Sequence, residues 1–309
     1  SNFDDDVFEA SVNTCILSIK NTKDLVSTFP FSYVKIKGQE LIFDIISRQK
    51  QHDCLLNDGF IIQPVKDEDT FNILNRIERT GLPLKSVEIG GKVNFGMQLR
   101  DRTEYEMDVV ETSDLSILSE FHEPCLTGKN IQRYSVKYSN LYCYFNVVAK
   151  RGGCWDRAAH SSKNKVIVRQ IGLTPNAAID EDGFALLNSA FMITASLTNT
   201  KYILSIINSK ITEFYWINKF SDKRKTFPKI KGTYLELIPI PQLSSESQQP
   251  FIDLVDKILA GKKAGEDTQA WEDEIDLRVY KLYELTHAEV LVIDPAFGMS
   301  EEAYEGLVF

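Results

Sequence analysis

Apolar positions along this chain repeat with two different periods, and the change from one to the other divides it. Near the start, Val12–Ile19 is rich in β-formers and stops at Lys20-Asn21, which predicts a strand. Tyr33–Lys37 mixes apolar and basic residues ahead of Gly38 and predicts a second. Glu40–Ser47 fits a short helix or a strand, since periodicity alone does not separate the two. From Asp67 the spacing becomes helical: Phe71, Leu74 and Ile77 lie three apart, and Gly81 with Pro83 beyond it ends the helix. A domain boundary is expected near residue 66.

The middle of the chain returns to short β-like runs. Ser86–Leu99 carries glycines at 90, 91 and 96, whose spacing fits neither G-x-G-x-x-G nor a P-loop, so a hairpin turn with a bulge is expected. An aromatic strand around Tyr142, Tyr144 and Phe145 follows, then the loop RGGCWDR (Arg151–Arg157) and the strand KVIVRQIG (Lys165–Gly172). Tyr202–Ile217 reads as one helix, with Ile203, Ile207, Ile211 and Phe214 on a single face. After a polar linker at Ser244–Gln249, Phe251, Leu254, Val255 and Ile258 mark one amphipathic helix, and Trp271, Ile275, Val279 and Leu282 another. Thr286 with Glu289 is a capping-box signature for a third. The expected fold is α+β, in segments 1–66, 67–243 and 244–309.

Composition narrows the class. With 309 residues, 43% apolar and 26% charged, the chain is ordinary for a globular protein. No apolar stretch approaches the ~20 residues that span a bilayer. Five cysteines without a C-x-x-C pair read as reduced thiols in a cytoplasmic protein, and four scattered histidines make no metal site. Ser1-Asn2 leads through an acidic patch straight into a strand-like run, as expected for a piece of a longer polypeptide.

Charge changes the picture most. The formal net charge is −9, yet Pro124–Lys231 holds 17 Lys+Arg against 6 Asp+Glu, a net of +11, which leaves −20 for the rest. KFSDKRKTFPKIKG (Lys219–Gly232) carries six cations and one acid, with Phe227, Pro228 and Ile230 between them. An acidic protein that gathers positive charge in one segment is suited to meet a polyanion there. The alternative is a solvated basic loop. Catalytic signatures are mostly missing: there is no Pro-Pro, no G-x-G, and no lysine two residues after an acid, as a metal-dependent nuclease motif would need. The acids Asp4–Asp6 could hold a divalent ion, although adjacent carboxylates at a terminus more commonly sit in water. Ser/His/acid and Cys/His arrangements stay open on spacing alone. No catalytic or metal-binding residue is assigned.

Candidate contacts to nucleic acid are Lys129, Arg133, Arg151, Trp155, Arg157, Lys165, Arg169, Gln170, Lys219, Lys223, Arg224, Lys225, Lys229 and Lys231. Lysine and arginine neutralise phosphates, while arginine and glutamine can each make two parallel hydrogen bonds to a base edge. Each has a structural alternative: the aromatic residues as core, Trp155 as a local packing anchor, Arg169 and Gln170 as the end of a strand.

Several phrases occur in a specific order: CLTGKNIQRY (Cys125–Tyr134), KVIVRQIG, the Tyr202–Asn218 helix with its Ile207-Asn208-Ser209-Lys210 turn, and RKTFPKIKGTYLELIPIP (Arg224–Pro241). Together they resemble the TaqI-like C-terminal specificity domain of adenine-specific DNA methyltransferases and of fused type II restriction–modification enzymes. EASVNTCILSIK (Glu9–Lys20) resembles the last strands of the methyltransferase domain in such proteins, and Glu272–Ile293 resembles their closing helical segment. The resemblance implies a strand-rich remnant of a methyltransferase domain, a mixed α/β target-recognition domain and a C-terminal helical subdomain. It also implies a division of labour. An N-terminal domain binds S-adenosylmethionine and methylates a flipped adenine, and the C-terminal domain grips double-stranded DNA and reads its sequence. This chain would then hold the reader, carry no cofactor of its own and be inert without the missing N-terminal methyltransferase portion. Whether the parent also cleaves DNA stays open. Two other readings remain: a hydrolase or nuclease site of the chain's own, and a scaffold that docks a partner through its acidic helical tail.

Overall fold

The computed structural model describes residues 2–3, 28–37, 40–50, 67–220 and 228–308. The chain divides into two compact units, Ser1–Leu74 and Asn75–Phe309. In the first, β1 (Asn2–Phe3) runs parallel to β2 (Thr28–Lys37), which pairs antiparallel with β3 (Glu40–Lys50). The register slips between Phe31 and Ser32, a bulge in an otherwise regular ladder. The ambiguous run Glu40–Ser47 is thus a strand, in keeping with its β-branched and aromatic residues. The predicted strand at Val12–Ile19 and the acids Asp4–Asp6 lie outside the described residues.

The helix expected after Asp67 is α1 (Glu68–Thr80); Asp67 accepts a hydrogen bond from the Thr70 amide at 2.8 Å and so caps its start. In the second unit, β4 (Gly81–Pro83) pairs with β15 (Pro239–Pro241). A four-stranded antiparallel sheet runs in the order β12 (Ala177–Asp180), β11 (Lys165–Arg169), β14 (Ala190–Ala195), β5 (Gly91–Phe95). Lys165–Val168 of β11 are buried, as expected for a strand inside a sheet covered on both faces. A second sheet runs β13 (Ala185–Leu186), β7 (His122–Leu126), β10 (Leu141–Tyr144), β6 (Val109–Glu111), with β13 parallel to β7 and the other pairs antiparallel. A small ribbon joins β8 (Ile131–Gln132) to β9 (Ser135–Val136).

Alternation along these strands builds two adjoining cores. Leu126 and Leu186 enter one with Ile131, Ile167 and Met192. Cys125, Ala185 and Leu187 point the other way and join Met97, Cys143 and Phe145. Side chains alternate at period two, so one strand pair serves both.

Two expectations for the middle of the chain need correction. Ser86–Leu99 forms no hairpin: its turns end at Gly90, and β5 then pairs with β14, about a hundred residues away. The single helix expected over Tyr202–Ile217 is two, α3 (Thr200–Ile207) and α4 (Lys210–Lys219). The break falls at Asn208, whose buried amide accepts from the Ala177 N–H at 3.1 Å and donates to the Ala177 carbonyl at 3.0 Å. Ser209 then caps α4 through the Thr212 amide. Hydrogen bonds to a sheet edge override the helical period.

Short helices α2 (Arg157–Ser161) and α5 (Gly232–Leu235) decorate the sheets. The tail is helical: α6 (Ser245–Ala264), α7 (Gln269–Leu282), α8 (His287–Ile293) and α9 (Glu301–Glu305). The polar linker expected at Ser244–Gln249 is instead the start of α6, because Ser244 caps it by accepting from the Ser247 amide at 3.1 Å. The Thr286–Glu289 capping box forms at the start of α8. Buried tyrosines fasten the tail to the rest of its unit, with Tyr283 donating to the Pro239 carbonyl at 2.5 Å. The fold is α+β.

Candidate nucleic-acid interface

Three loops come together where the two sheets meet. In the first, Thr127–Asn130, the Thr127 amide and hydroxyl both donate to Asn130 Oδ1, at 2.8 and 2.9 Å, and Asn130 Nδ2 donates to the Lys137 carbonyl at 2.7 Å. This closes the Thr-Gly-Lys-Asn turn and leaves Lys129 exposed. The second loop, Arg151–Cys154, is laced to the end of β5 and the residues that follow it. The Gln98 amide donates to the Gly152 carbonyl at 2.9 Å, the Arg151 amide to that of Gln98 at 2.9 Å, and the Cys154 amide to that of Phe95 at 2.9 Å.

The third is the turn Leu187–Ala190, pinched between two glycines. A Cβ at Gly96 would lie 2.2 Å from the Leu187 carbonyl oxygen, and one at Gly128 would lie 2.4 Å from that of Ser189. The Gly128 amide donates to Ser189 Oγ at 2.9 Å, and the Asn188 amide to the Met97 carbonyl at 2.9 Å. No other residue permits such close backbone approach.

These loops frame two open hollows. One, about 600 Å³, is lined by Gln98, Arg100, Arg102, Arg151 and Asn188 among others. The other, about 570 Å³, is lined by Arg102, Lys129, Asn130, Arg169, Ile171 and Asn188 among others. Arg102 and Asn188 belong to both, so the hollows adjoin. Acids on the walls are Asp101 and Glu111. Arg100 is held by Asp108, through Nε at 2.9 Å and Nη2 at 2.5 Å, and stacks on the Tyr105 ring at 3.9 Å. Arg102, Lys129, Arg151 and Arg169 form no ion pair among the described residues.

Of the basic ridge, Lys223, Arg224 and Lys225 lie outside the described residues. Its far end runs beside the second hollow: the Ile230 amide donates to the Gln170 carbonyl at 2.8 Å, the Gly172 amide to that of Pro228 at 3.1 Å, and Ile171 bridges Lys229. Lys229 and Lys231 are exposed, Lys231 lying 5.0 Å over the Tyr234 ring. Gln170 is half-buried, its backbone holding this end of the ridge and the Ser189 carbonyl.

Five of the expected DNA-facing side chains are engaged elsewhere. Lys165 has a fully buried side chain, ion-paired to Asp180 at 2.5 Å and donating to the Ser162 carbonyl at 3.1 Å; burial pushes its ammonium below the usual lysine range. It cannot reach a phosphate, and its place in the interface is withdrawn. Arg133 pairs with Glu272 at 2.6 Å and donates to the Asn208 carbonyl. Lys219 is bound to Glu78, which also accepts from the Tyr215 hydroxyl at 2.9 Å. Trp155 is a packing anchor, set edge-on to Phe145 at 5.6 Å with its indole donating to the Gly152 carbonyl at 2.8 Å. Arg157 is paired with Glu123 and lies 4.2 Å over the Phe145 ring, although it stays largely exposed.

Sequence reasoning missed Arg102 and Asn188. Arg102 lies in the Arg-Asp-Arg phrase just ahead of the basic window, where the local balance is not positive. Asn188 has no local signature, because only the glycine-pinched turn makes it a shared rim.

Among the described residues no helix is long and apolar enough to cross a membrane, and no cluster of three or more His, Cys, Asp or Glu is placed to hold a metal ion. No curated protein matches the chain. Residues 123–240 match the TaqI-like C-terminal specificity domain. The fold is similar to that of the type IIL restriction-modification enzyme MmeI, solved in complex with DNA, at a TM-score of 0.50 and 8% identity, covering 89% of this chain and 41% of that one. The type IIG restriction endonuclease BpuSI is similar at a TM-score of 0.44 and 10% identity, over 86% of this chain and 40% of that one. The HsdS subunit from Thermoanaerobacter tengcongensis is similar at 0.38 and 9%, over 70% and 51%. The chain therefore spans about half, or less, of the length of these proteins.

Proposed function

From the match of residues 123–240 to the TaqI-like C-terminal specificity domain, we propose that the chain is the DNA-reading part of a restriction–modification enzyme. The observation that carries the reading is the pair of adjoining hollows lined by Arg102, Lys129, Arg151 and Arg169 without carboxylate partners among the described residues. Some other cations of the unit, Arg133, Lys165, Lys201 and Lys210 among them, are instead held by acids. Unpaired guanidinium and ammonium groups around a concave surface suit a phosphate backbone, whose counterions they displace. Lys229 and Lys231 would extend the grip along the rim. MmeI, similar in fold, was solved with DNA, which fits the same reading.

The rest of the parent enzyme belongs to the proposal as well. A methyltransferase portion with S-adenosylmethionine would supply adenine methylation in the cytoplasm. The described sheets of the second unit offer no fit for that cofactor: their pairs are antiparallel except β13 with β7, so no crevice opens at the carboxyl ends of neighbouring parallel strands. The chain's own task is to bind and orient duplex DNA.

The test is fluorescence anisotropy of labelled duplex DNA with the chain at several salt concentrations. Saturable binding that weakens with salt is expected. Replacing Arg102, Lys129 or Arg169 with alanine should weaken binding and flatten the log–log salt slope by about 0.9 for each phosphate left unneutralised. Absence of duplex binding at low salt would overturn the proposal.

A further inference from the structure

The reading of a DNA sequence needs a polar side chain carried on a firmly held backbone within the contact surface, with hydrogen-bonding atoms left over. Asn188 meets each condition. It is exposed at the tip of the Leu187–Ala190 turn and lines both hollows, sharing one with Arg102 and Arg151 and the other with Arg102, Lys129 and Arg169. Its turn is held by the pinch of Gly96 and Gly128, by its own amide on Met97, and by the Leu187 amide on the Leu126 carbonyl at 3.0 Å.

The ordinary reasons for an asparagine in a turn do not apply here. Its backbone is not in the left-handed region, where Tyr134, Asn140 and Asn164 sit. Its carboxamide caps no helix and makes no hydrogen bond among the described residues, unlike Asn130, Asn146, Asn199 and Asn208.

We propose that Asn188 is a specificity-determining residue whose carboxamide reads one base pair, with adenine as the base it complements. This rests on the DNA-recognition reading above. The carboxamide presents one acceptor and one donor side by side, which match the N6 amino group and N7 of adenine in the major groove. Arg102 and Arg169, which line a hollow with it, hold the flanking backbone.

The experiment selects bound duplexes from a randomised pool with the unaltered chain, then repeats the selection with Asn188→Ala and Asn188→Asp. The wild-type chain should enrich a sequence containing a fixed adenine. Asn188→Ala should lose that preference at one base pair only, with affinity for the enriched duplex falling about 5- to 150-fold. Its affinity for scrambled duplex and its salt slope should not change. Asn188→Asp removes the donor and should also lose the adenine. Arg102→Ala, by contrast, should weaken all duplexes alike and flatten the slope. If both Asn188 variants select the wild-type sequence, or lose affinity equally on every duplex, the assignment is overturned while DNA recognition stands. If the wild-type chain binds no duplex, the broader reading fails instead.

Discussion

Arg133 and Glu272 are 139 positions apart in the chain, yet Nε of one lies 2.6 Å from Oε2 of the other. Glu272 also takes Lys262 Nζ at 2.9 Å and the Thr268 hydroxyl at 2.8 Å. Burial alone would raise its carboxyl, but the bonds from Arg133 and Lys262 hold it below the usual range. An arginine from the basic third thus fastens the acidic tail to the sheet-bearing part of the unit. Arg133→Ala should lower stability by about 1–3 kcal/mol, because it leaves a buried acceptor short of a partner. Equilibrium urea unfolding measures this. A variant of native stability that binds DNA more weakly would return Arg133 to the interface.

Lys165 and Asp180 make a stronger case, since both side chains are fully buried. Removing one partner of a buried pair leaves an uncompensated charge and costs about 3–5 kcal/mol. Lys165→Ala should therefore unfold at much lower urea. The neighbouring Lys163→Ala, at an exposed position, should match the parent. Equal midpoints for the two variants would contradict the burial of Lys165.

Asp276 supplies a pH dependence. Its carboxyl accepts from the Lys210 amide at 2.8 Å, and burial pushes it up to about 6 from an ordinary value of 3.8. The folded protein binds this proton more tightly than the unfolded chain. The stabilising contribution is accordingly complete below about pH 4 and is lost as pH rises through about 6. Asp276→Asn keeps an acceptor for the Lys210 amide and never ionises. It should be more stable than the parent at pH 7, by at most about 3 kcal/mol, with the difference vanishing near pH 4. Thermal unfolding of both proteins across that range checks the sign; a variant less stable at pH 7 would refute it.

Gly128 is a position where added volume bears directly on the candidate site. Gly128→Ala places a methyl group 2.4 Å from the Ser189 carbonyl oxygen, which is backbone and cannot swing away. A loss of about 1–3 kcal/mol is expected, as for overpacking elsewhere, together with a displaced Asn188 turn. Unfolding midpoints and duplex selectivity should fall together.

The ridge yields a test of grip. Lys229→Ala and Lys231→Ala should each weaken binding to all duplexes and flatten the salt slope by about 0.9. Lys219→Ala, which frees Glu78 and removes a bond beside Tyr215, should change stability and leave the slope alone. Anisotropy titrations at three or more salt concentrations separate the two behaviours.

Much of the architecture is written in local patterns. The Thr286–Glu289 box, the apolar period of the tail helices and the β-branched run Val166–Val168 follow from backbone geometry within a few residues, which any copy of those stretches would obey. The positive middle third is equally visible, because charge is additive along a chain. Its use is not. Lys129 and Lys165 are the same residue in the same basic segment, yet one is exposed on a hollow and the other is sealed against Asp180. Arg133 and Lys219 are spent on acids of distant helices, and Asn208 gives up a helical turn to hold Ala177. Asn188 becomes a shared rim only where Gly96 and Gly128 let two sheets close on one turn. Ion pairing and close backbone approach depend on partners tens to hundreds of residues away, so only the folded chain decides which cations stay free to meet a phosphate.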